Sequence, residues 1–423
     1  MESLALKILS KHSGEERVEP GDIVYAKVDK VMVNDVTGAL ALKILRETGA
    51  EKLVGKRKTE IYIVFDHYSP AHNWDAANSH AELRFFSRKY GCKLFDIGYG
   101  IAHQILVEGI VKPGELIVGA DSHTITYGAL ASFSTGIGSS EAAYVMATGE
   151  LWFKAPEPLF VKIIGNFGIS VTAKDLALYL LKEFGSEGAL YRSVEFFGEG
   201  LRNLDVNDRL TVSNIIVEAG AKTAIFPYDN ETEAWLRRYG VRVEDEWGEL
   251  KIEVSDVESM CVNLSALEPL VSAPPKPVNV KHVGDLEGTP VDQVFVGSCT
   301  NGRFKDIVAL ARIVKGRKVK TRLIVIPASL RTLKRMIDEE VLKVLVEAGA
   351  IIGVPGCGPC FGAHMGVLGE GEVMVSTANR NFPGRAGPPS AKVYLASPYT
   401  AAVAAITGQI TDPRPYVREV LEK

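Results

Sequence analysis

Cys357 and Cys360 stand in the stretch GVPGCGPCFG as a C-x-x-C pair, with Gly358 and Pro359 between them. That spacing suits a redox dithiol, half of a zinc site or part of an iron–sulfur site. A C-G-P-C dithiol opens a helix after a strand in a small βαβ domain. Here the motif instead follows EEVLKVLVEAGAIIGVP, late in a long chain. A structural zinc needs four ligands, and no second C-x-x-C or H-x-x-x-H accompanies the pair, although His364 is near. A third cysteine, Cys299, falls in VDQVFVGSCTNGR just after a strand-like run, whereas Cys92 in KYGCKLF and Cys261 in ESMCVNL read as small buried residues. Three thiolates would hold a [4Fe–4S] cube and leave one iron as a Lewis acid with open positions. Spacing alone leaves the dithiol, zinc and cluster readings open.

The same arrangement of an apolar run ending in polar groups recurs along the chain. EIYIVFDHYSP places Asp66 and His67 after a strand-like run, and GELIVGADSHTITYG places Asp121, Ser122 and His123 after another. VFVGSCTNGR does so with Cys299, Asn301 and Arg303, and GEVMVSTANRNFPGR with Asn379, Arg380 and Arg385. Strand-like runs alternating with helical stretches predict an α/β fold. In open α/β sheets ligands bind outside the carboxyl ends of strands, which is where these groups fall.

The chain has 423 residues, enough for two or three domains. A net charge of −4 offers no broad attraction to nucleic acid. No apolar run approaches the ~20 residues that span a bilayer. MESLALKILSKHSG reads as a helix and not as a signal peptide. Five cysteines without a disulfide-framework spacing point to a reducing, cytoplasmic setting.

GSCTNGR, PGCGPCFG and NRNFPGR, with FDIGYGIAHQ and ADSHTITYGA in the first half, resemble the signatures of the aconitase superfamily. Within it the resemblance is strongest to the large subunits of the 3-isopropylmalate dehydratase and homoaconitase group. It runs from about Asn34 to ASPYTAAVAAITG. It implies three α/β domains around a [4Fe–4S] cluster, expected at 1–157, 158–270 and 271–423. A fourth, swivelling domain is expected on a separate small subunit. KAPEP and the proline-rich EPLVSAPPKPVNVKHVGDLEGTP read as the breaks between domains.

The resemblance assigns Cys299, Cys357 and Cys360 as cluster ligands. Asp66, His67, His103, Asp121 and His123 match the family's acid and imidazole positions, and Glu218 matches the acid that orients an imidazole, expected to be His123. Asn214 and Glu218 lie four apart on an expected helix and so share a face. Asn34, Ser122, Asn214, Asn379, Arg380 and Arg385 are expected to meet substrate, the two arginines as forks for carboxylates. Arg303 is expected to organise the cluster loop. The implied reaction is dehydration and rehydration of a 2-hydroxy dicarboxylate or tricarboxylate, which moves a hydroxyl by one carbon. The implied setting is leucine biosynthesis with isopropylmalate, or alternatively lysine biosynthesis with homoaconitate. The carbon base is expected on the small subunit. A cluster-sensing RNA-binding protein and a thiol–disulfide oxidoreductase are the rival readings. The charge opposes the first, and a role for Cys299 opposes the second.

Overall fold

A computed structural model describes residues 3–242, 259–362 and 364–422. The chain divides into two compact units. The first comprises Met1–Ile97, Ala102–Ile164 and Ser186–Val262, and the second Gly98–Ile101, Gly165–Gly185 and Asn263–Lys423.

The first unit is built on a parallel five-stranded sheet. Its spatial order is Lys93–Phe95, Glu60–Val64, Lys30–Asn34, Leu116–Gly119, Phe133–Gly136. The strands KVMVN and LIVG are buried at every position. Such unbroken burial belongs to a parallel sheet covered on both faces, because neither side of the strand can meet water. Helices Asp35–Glu47, Trp74–Tyr90 and Ser139–Thr148 follow strands in the sequence. Asn34 and Asn73 cap the first two through side-chain oxygens. In sequence terms the strand order is 3-2-1-4-5, so it reverses between Lys30–Asn34 and Leu116–Gly119. A crevice opens at such a switch point because the connections leave on opposite faces.

The first unit also holds a four-stranded sheet of order Thr223–Ile225, Ser193–Phe197, Pro158–Ile164, Ser259–Asn263. A two-stranded antiparallel ribbon pairs Ile23–Lys27 with Glu150–Lys154. The chain passes from ribbon to sheet across KAPEP. The predicted N-terminal helix is present at Leu4–Ser13, capped by Ser3.

The second unit carries a seven-stranded sheet. Five strands are parallel, in the order Lys392–Ala396, Val373–Ser376, Gln293–Val296, Arg322–Val325, Ile351–Ile352. Numbered along the chain this is 5-4-1-2-3, the same order as in the first unit. The proline-rich stretch read as a linker is not one. It supplies two antiparallel strands, Leu270–Ser272, paired on both sides, and Val280–His282 at the sheet edge, turned around the pair Pro274–Pro275. Pro274, Pro275 and Pro277 fall in the turn between the strands, where no ladder N–H is needed. Among the described residues, no helix is long and apolar enough to cross a membrane.

Candidate active site

In the first unit the strand ends on either side of the switch point carry Asn34, Asp66–His67 and Asp121–Ser122–His123. Asn34 is buried, and its Oδ1 accepts from the N–H of Val36 at 3.0 Å and Thr37 at 2.8 Å. Its side-chain oxygen is therefore committed to the helix cap. The next residue, Asp35, was not singled out from the sequence. Its buried carboxylate accepts from the backbone N–H of His67 at 3.0 Å and Tyr68 at 2.7 Å, and pairs with His80 Nε2 at 3.1 Å. Burial pushes its pKa up, but the His80 bond, the His67 charge and these N–H groups bring it below the ordinary carboxylate value. Asp35 thus fastens the loop that presents Asp66 and His67.

Asp66 is buried. One oxygen lies 2.6 Å from His67 Nδ1 and the other accepts from the N–H of Ala102 at 2.8 Å. Burial disfavours an imidazolium, but the charge and hydrogen bond of Asp66, with further negative charge from Asp121 and Asp35, raise the His67 pKa from 6.5 to about 9. Asp121 is the hub of the cluster. Its carboxylate lies 3.1 Å from His103 Nε2, 3.5 Å from His123 Nδ1 and 3.8 Å from His67 Nε2, and it accepts from the His123 N–H at 2.8 Å. Burial works against its charge, but His103 and His123 hold it well below the usual carboxylate range.

His103 turns Nδ1 to the Tyr127 hydroxyl at 3.1 Å. His123 Nε2 lies 3.3 Å from a Glu218 oxygen, an ion-pair distance without hydrogen-bond alignment. Asn214 is fully buried and donates to Thr126 Oγ1 at 2.8 Å, and that hydroxyl donates to the His123 carbonyl at 2.6 Å. The helix expected to carry both Asn214 and Glu218 ends at Ile215, and Glu218 sits in a 3-10 turn, Ile216–Ala219. Both still reach the segment Ser122–Leu130. That segment packs closely: a Cβ on Gly136 would lie 2.6 Å from the Ser122 Cα. Ser122 itself is half-buried and lines a cavity with Gly136, Tyr191 and Lys222.

In the second unit Cys299 and Cys357 are buried and Cys360 half-buried, none of the three in a disulfide. Cys299 follows the strand Gln293–Val296 through Gly297 and Ser298. Ser298 holds a left-handed φ of 75°, an unusual conformation for a residue with a side chain. Arg303, also buried, donates to the Cys299 carbonyl at 2.8 Å and to that of Thr300, and so holds the turn around Cys299. Asn301 donates to Asp306 Oδ1 at 2.9 Å. Cys360 ends a single 3-10 turn, Gly358–Cys360, and among the described residues no helix lies between it and the strand Val373–Ser376. The helix N-terminus that lowers thiol pKa in dithiol enzymes is missing, which weighs against that reading.

Asn379 sits between two of the sulfurs. Its Nδ2 lies 3.4 Å from Cys299 Sγ and its Oδ1 3.6 Å from Cys360 Sγ. Ser298 Oγ lies 3.5 Å from Cys360 Sγ. Thr377 laces the two strand ends together, accepting from the Gly297 N–H at 3.0 Å and donating to the Gly297 carbonyl at 3.1 Å. Arg385 donates from Nε to the Cys360 carbonyl at 2.9 Å, and Arg380 is half-buried on the same loop. Lys174, another residue not singled out from the sequence, donates to the carbonyls of Thr377 at 2.8 Å and Ala378 at 2.5 Å. Burial pushes its pKa from 10.5 down to about 7 against the pull of Asp306, Cys360, Asp175 and Cys299.

The remaining cysteines differ. Burial raises the Cys92 thiol to about 12, which makes it inert. Cys261, expected to be buried, is exposed, because it occupies an outward position on the edge strand Ser259–Asn263.

Three soft donors in glycine-tight turns, none in a disulfide, fit an iron–sulfur cluster. The tightness is explicit at Gly362, where a Cβ would fall 2.2 Å from the Arg385 carbonyl oxygen. The model of the aconitase family (aconitate hydratase) matches residues 6–286 and 277–408. "3-isopropylmalate dehydratase large subunit 1" of Methanopyrus kandleri is 47% identical, covering 98% of this chain and 99% of its own. The proteins of that name from Thermotoga maritima and Pyrococcus furiosus are each 44% identical, with 98% of this chain and 99% of theirs covered. A crystal structure of Thermococcus kodakaraensis aconitase X in its holo form shares the fold, with a TM-score of 0.51 at 11% identity over 98% of this chain and 94% of that one. With nearly its whole length matched by the family model and by these relatives, the chain belongs to the aconitase family.

Proposed function

We propose that this chain is the cluster-bearing large subunit of a 3-isopropylmalate dehydratase. It is a hydro-lyase that interconverts 2-isopropylmalate and 3-isopropylmalate in leucine biosynthesis. The observation that carries this reading is the trio of thiols outside any disulfide, Cys299, Cys357 and Cys360, in a chain matched over 98% of its length by large subunits of that name. The curated relatives compared above bear the isopropylmalate name, which favours that substrate over homoaconitate.

The three thiolates would hold a [4Fe–4S] cluster, which when bound supplies a Lewis-acidic iron for a hydroxyl and a carboxylate. The protein's own groups divide the remaining work. His67, kept cationic up to about pH 9 by Asp66, donates a proton to the leaving hydroxyl, so that it departs as water. Asp121 fixes the orientation of the three imidazoles and stabilises the charge that His67 carries. Asn214 and Glu218 hold the His123 segment. Arg380 and the Nη groups of Arg385 offer forked donors to the substrate carboxylates. Dehydration breaks one C–H and one C–O bond to give an alkene and water, and readdition of water at the neighbouring carbon completes the exchange. A separate small subunit supplies the carbon base and closes water out of the site.

The test is reconstitution. The chain alone, loaded anaerobically, turns over isopropylmalate negligibly, and adding the small subunit encoded by the same organism restores the rate. Robust turnover by the isolated chain would refute the two-subunit reading. A reconstituted enzyme that favours homoaconitate would overturn the substrate.

A further inference from the structure

Lys174 occupies a position that elementary physics disfavours three times over. It has no exposed surface. Its hydrogen bonds go to two carbonyl oxygens and to no carboxylate, so the buried charge lacks a partnered counter-ion. It also lies in the first turn of the helix Ala173–Phe184, capped by Thr172, where the positive end of the helix dipole repels a cation. The other buried lysine among the described residues, Lys30, pairs with Glu115 and Glu60.

The helix start is held from the other side. Asp175 accepts from the Thr172 N–H and the Leu270 N–H, at 2.8 Å and 2.9 Å. The ammonium is thereby aimed at Thr377 and Ala378, the two residues that precede Asn379. Asn379 in turn lies between the sulfurs of Cys299 and Cys360.

We infer that Lys174 is a positioning residue of the thiol site: its ammonium clamps the turn at 377–378, keeps the Asn379 carboxamide between the two sulfurs, and adds to that of Arg303 a second buried positive charge to balance the thiolates. The inference rests on the reading of Cys299, Cys357 and Cys360 as cluster ligands. Packing alone does not call for a lysine here, since a methionine would fill a similar volume without the desolvation penalty.

The test compares Lys174→Met, Lys174→Arg and Asn379→Ala in the full chain. Hydrogen exchange of the 376–381 amides, measured without metal, is expected to quicken at least ten-fold in Lys174→Met and to stay near wild type in Lys174→Arg. After anaerobic loading with iron and sulfide, Lys174→Met is expected to lose its colour to a chelator at least ten-fold faster than wild type. Its cluster reduction potential is expected to move to more negative values, because a positive charge has been removed. Asn379→Ala is expected to reproduce the faster loss. If Lys174→Met does not fold, the two remaining variants decide. Stable binding in Asn379→Ala, or a shifted potential in Lys174→Arg despite its retained charge, overturns the inference. So does a folded Lys174→Met with wild-type exchange, loss rate and potential. Wild-type protein that takes up no iron would instead overturn the cluster reading, and the exchange measurement would still decide the role of Lys174.

Discussion

The parallel sheet of the first unit and the five parallel strands of the second have the same order, yet they present opposite chemistries at corresponding places. After the first strand comes Asn34 in one unit and Cys299 in the other. The connection from third to fourth strand carries His103 in one, and Cys357 with Cys360 in the other. The connection from fourth to fifth carries Asp121–His123 in one and Asn379–Arg385 in the other. One unit gathers carboxylates and imidazoles, which suit proton transfer. The other gathers thiols, an amide and guanidiniums, which suit a soft metal and an anion. The strand order decides where loops converge, and the loop residues alone decide what converges there.

The sharpest way to break this division of labour is to remove one group from each unit. Serine at Cys299, Cys357 or Cys360 should abolish brown colour, bound iron and turnover together, whereas serine at Cys92 or Cys261 should leave all three intact. Asp121→Asn should keep the iron and lose turnover on the order of a hundred-fold to ten-thousand-fold, the scale of general acid–base catalysis. Iron analysis beside the assay checks both, and an Asp121→Asn protein that loses its iron would show that the two sets are not separable.

A smaller effect is expected at Arg385, where the thiol loop and the anion fork meet. Arg385→Lys keeps the charge but loses the planar fork and the Nε bond to the Cys360 carbonyl. A loss of roughly 2–5 kcal/mol, on the order of thirty-fold or more in kcat/KM, should follow. It should appear with isopropylmalate and homoaconitate alike, since both share the diacid core. A loss confined to one substrate would mean that Arg385 reads the variable group.

The proton-handling unit should reveal itself through pH. His67 titrates at about 9, above its ordinary 6.5. Its imidazolium therefore contributes stability in full below about 6.5 and loses it as pH rises through about 9. The alkaline limb of kcat should lie near the same pH. Asp66→Asn removes the strongest of the groups that raise it, and should move the limb toward neutrality while leaving cluster content unchanged. An unmoved limb would take His67 out of the proton step.

The smallest effect concerns scaffold alone. Asn34→Ala removes the cap of the helix Asp35–Glu47 and should cost about 1 kcal/mol in a denaturant titration. A much larger loss of turnover than of stability would show that the Asn34 NH2 also meets substrate.

The residues legible in the sequence were those that end strands. An apolar run followed at once by D-H, A-D-S-H or G-S-C-T-N-G-R announces both the strand and the group at its carboxyl end. The residues that were not legible hold those groups from a distance. Lys174 reaches carbonyls about two hundred residues further along the chain, and Asp35 binds the backbone of the next strand's loop. Neither leaves a local pattern, because their partners are backbone atoms of unremarked residues. The proline-rich stretch failed for a related reason: its strand Leu270–Ser272 is anchored by a neighbour more than a hundred residues later, Lys392–Ala396, and Val280–His282 in turn pairs with Leu270–Ser272, so neither rests on its own periodicity. Cys261 misled because a small apolar residue on an edge strand faces outward or inward according to register alone.

The most direct measurement of the central claim is a Mössbauer spectrum of the anaerobically loaded, iron-57-enriched chain, taken with and without isopropylmalate. Three protein thiolates on a four-iron cluster leave one iron distinct, so one quarter of the signal should stand apart and shift when isopropylmalate is added, while three quarters stay fixed. Four equivalent irons, or a signal that ignores the substrate, would contradict the account.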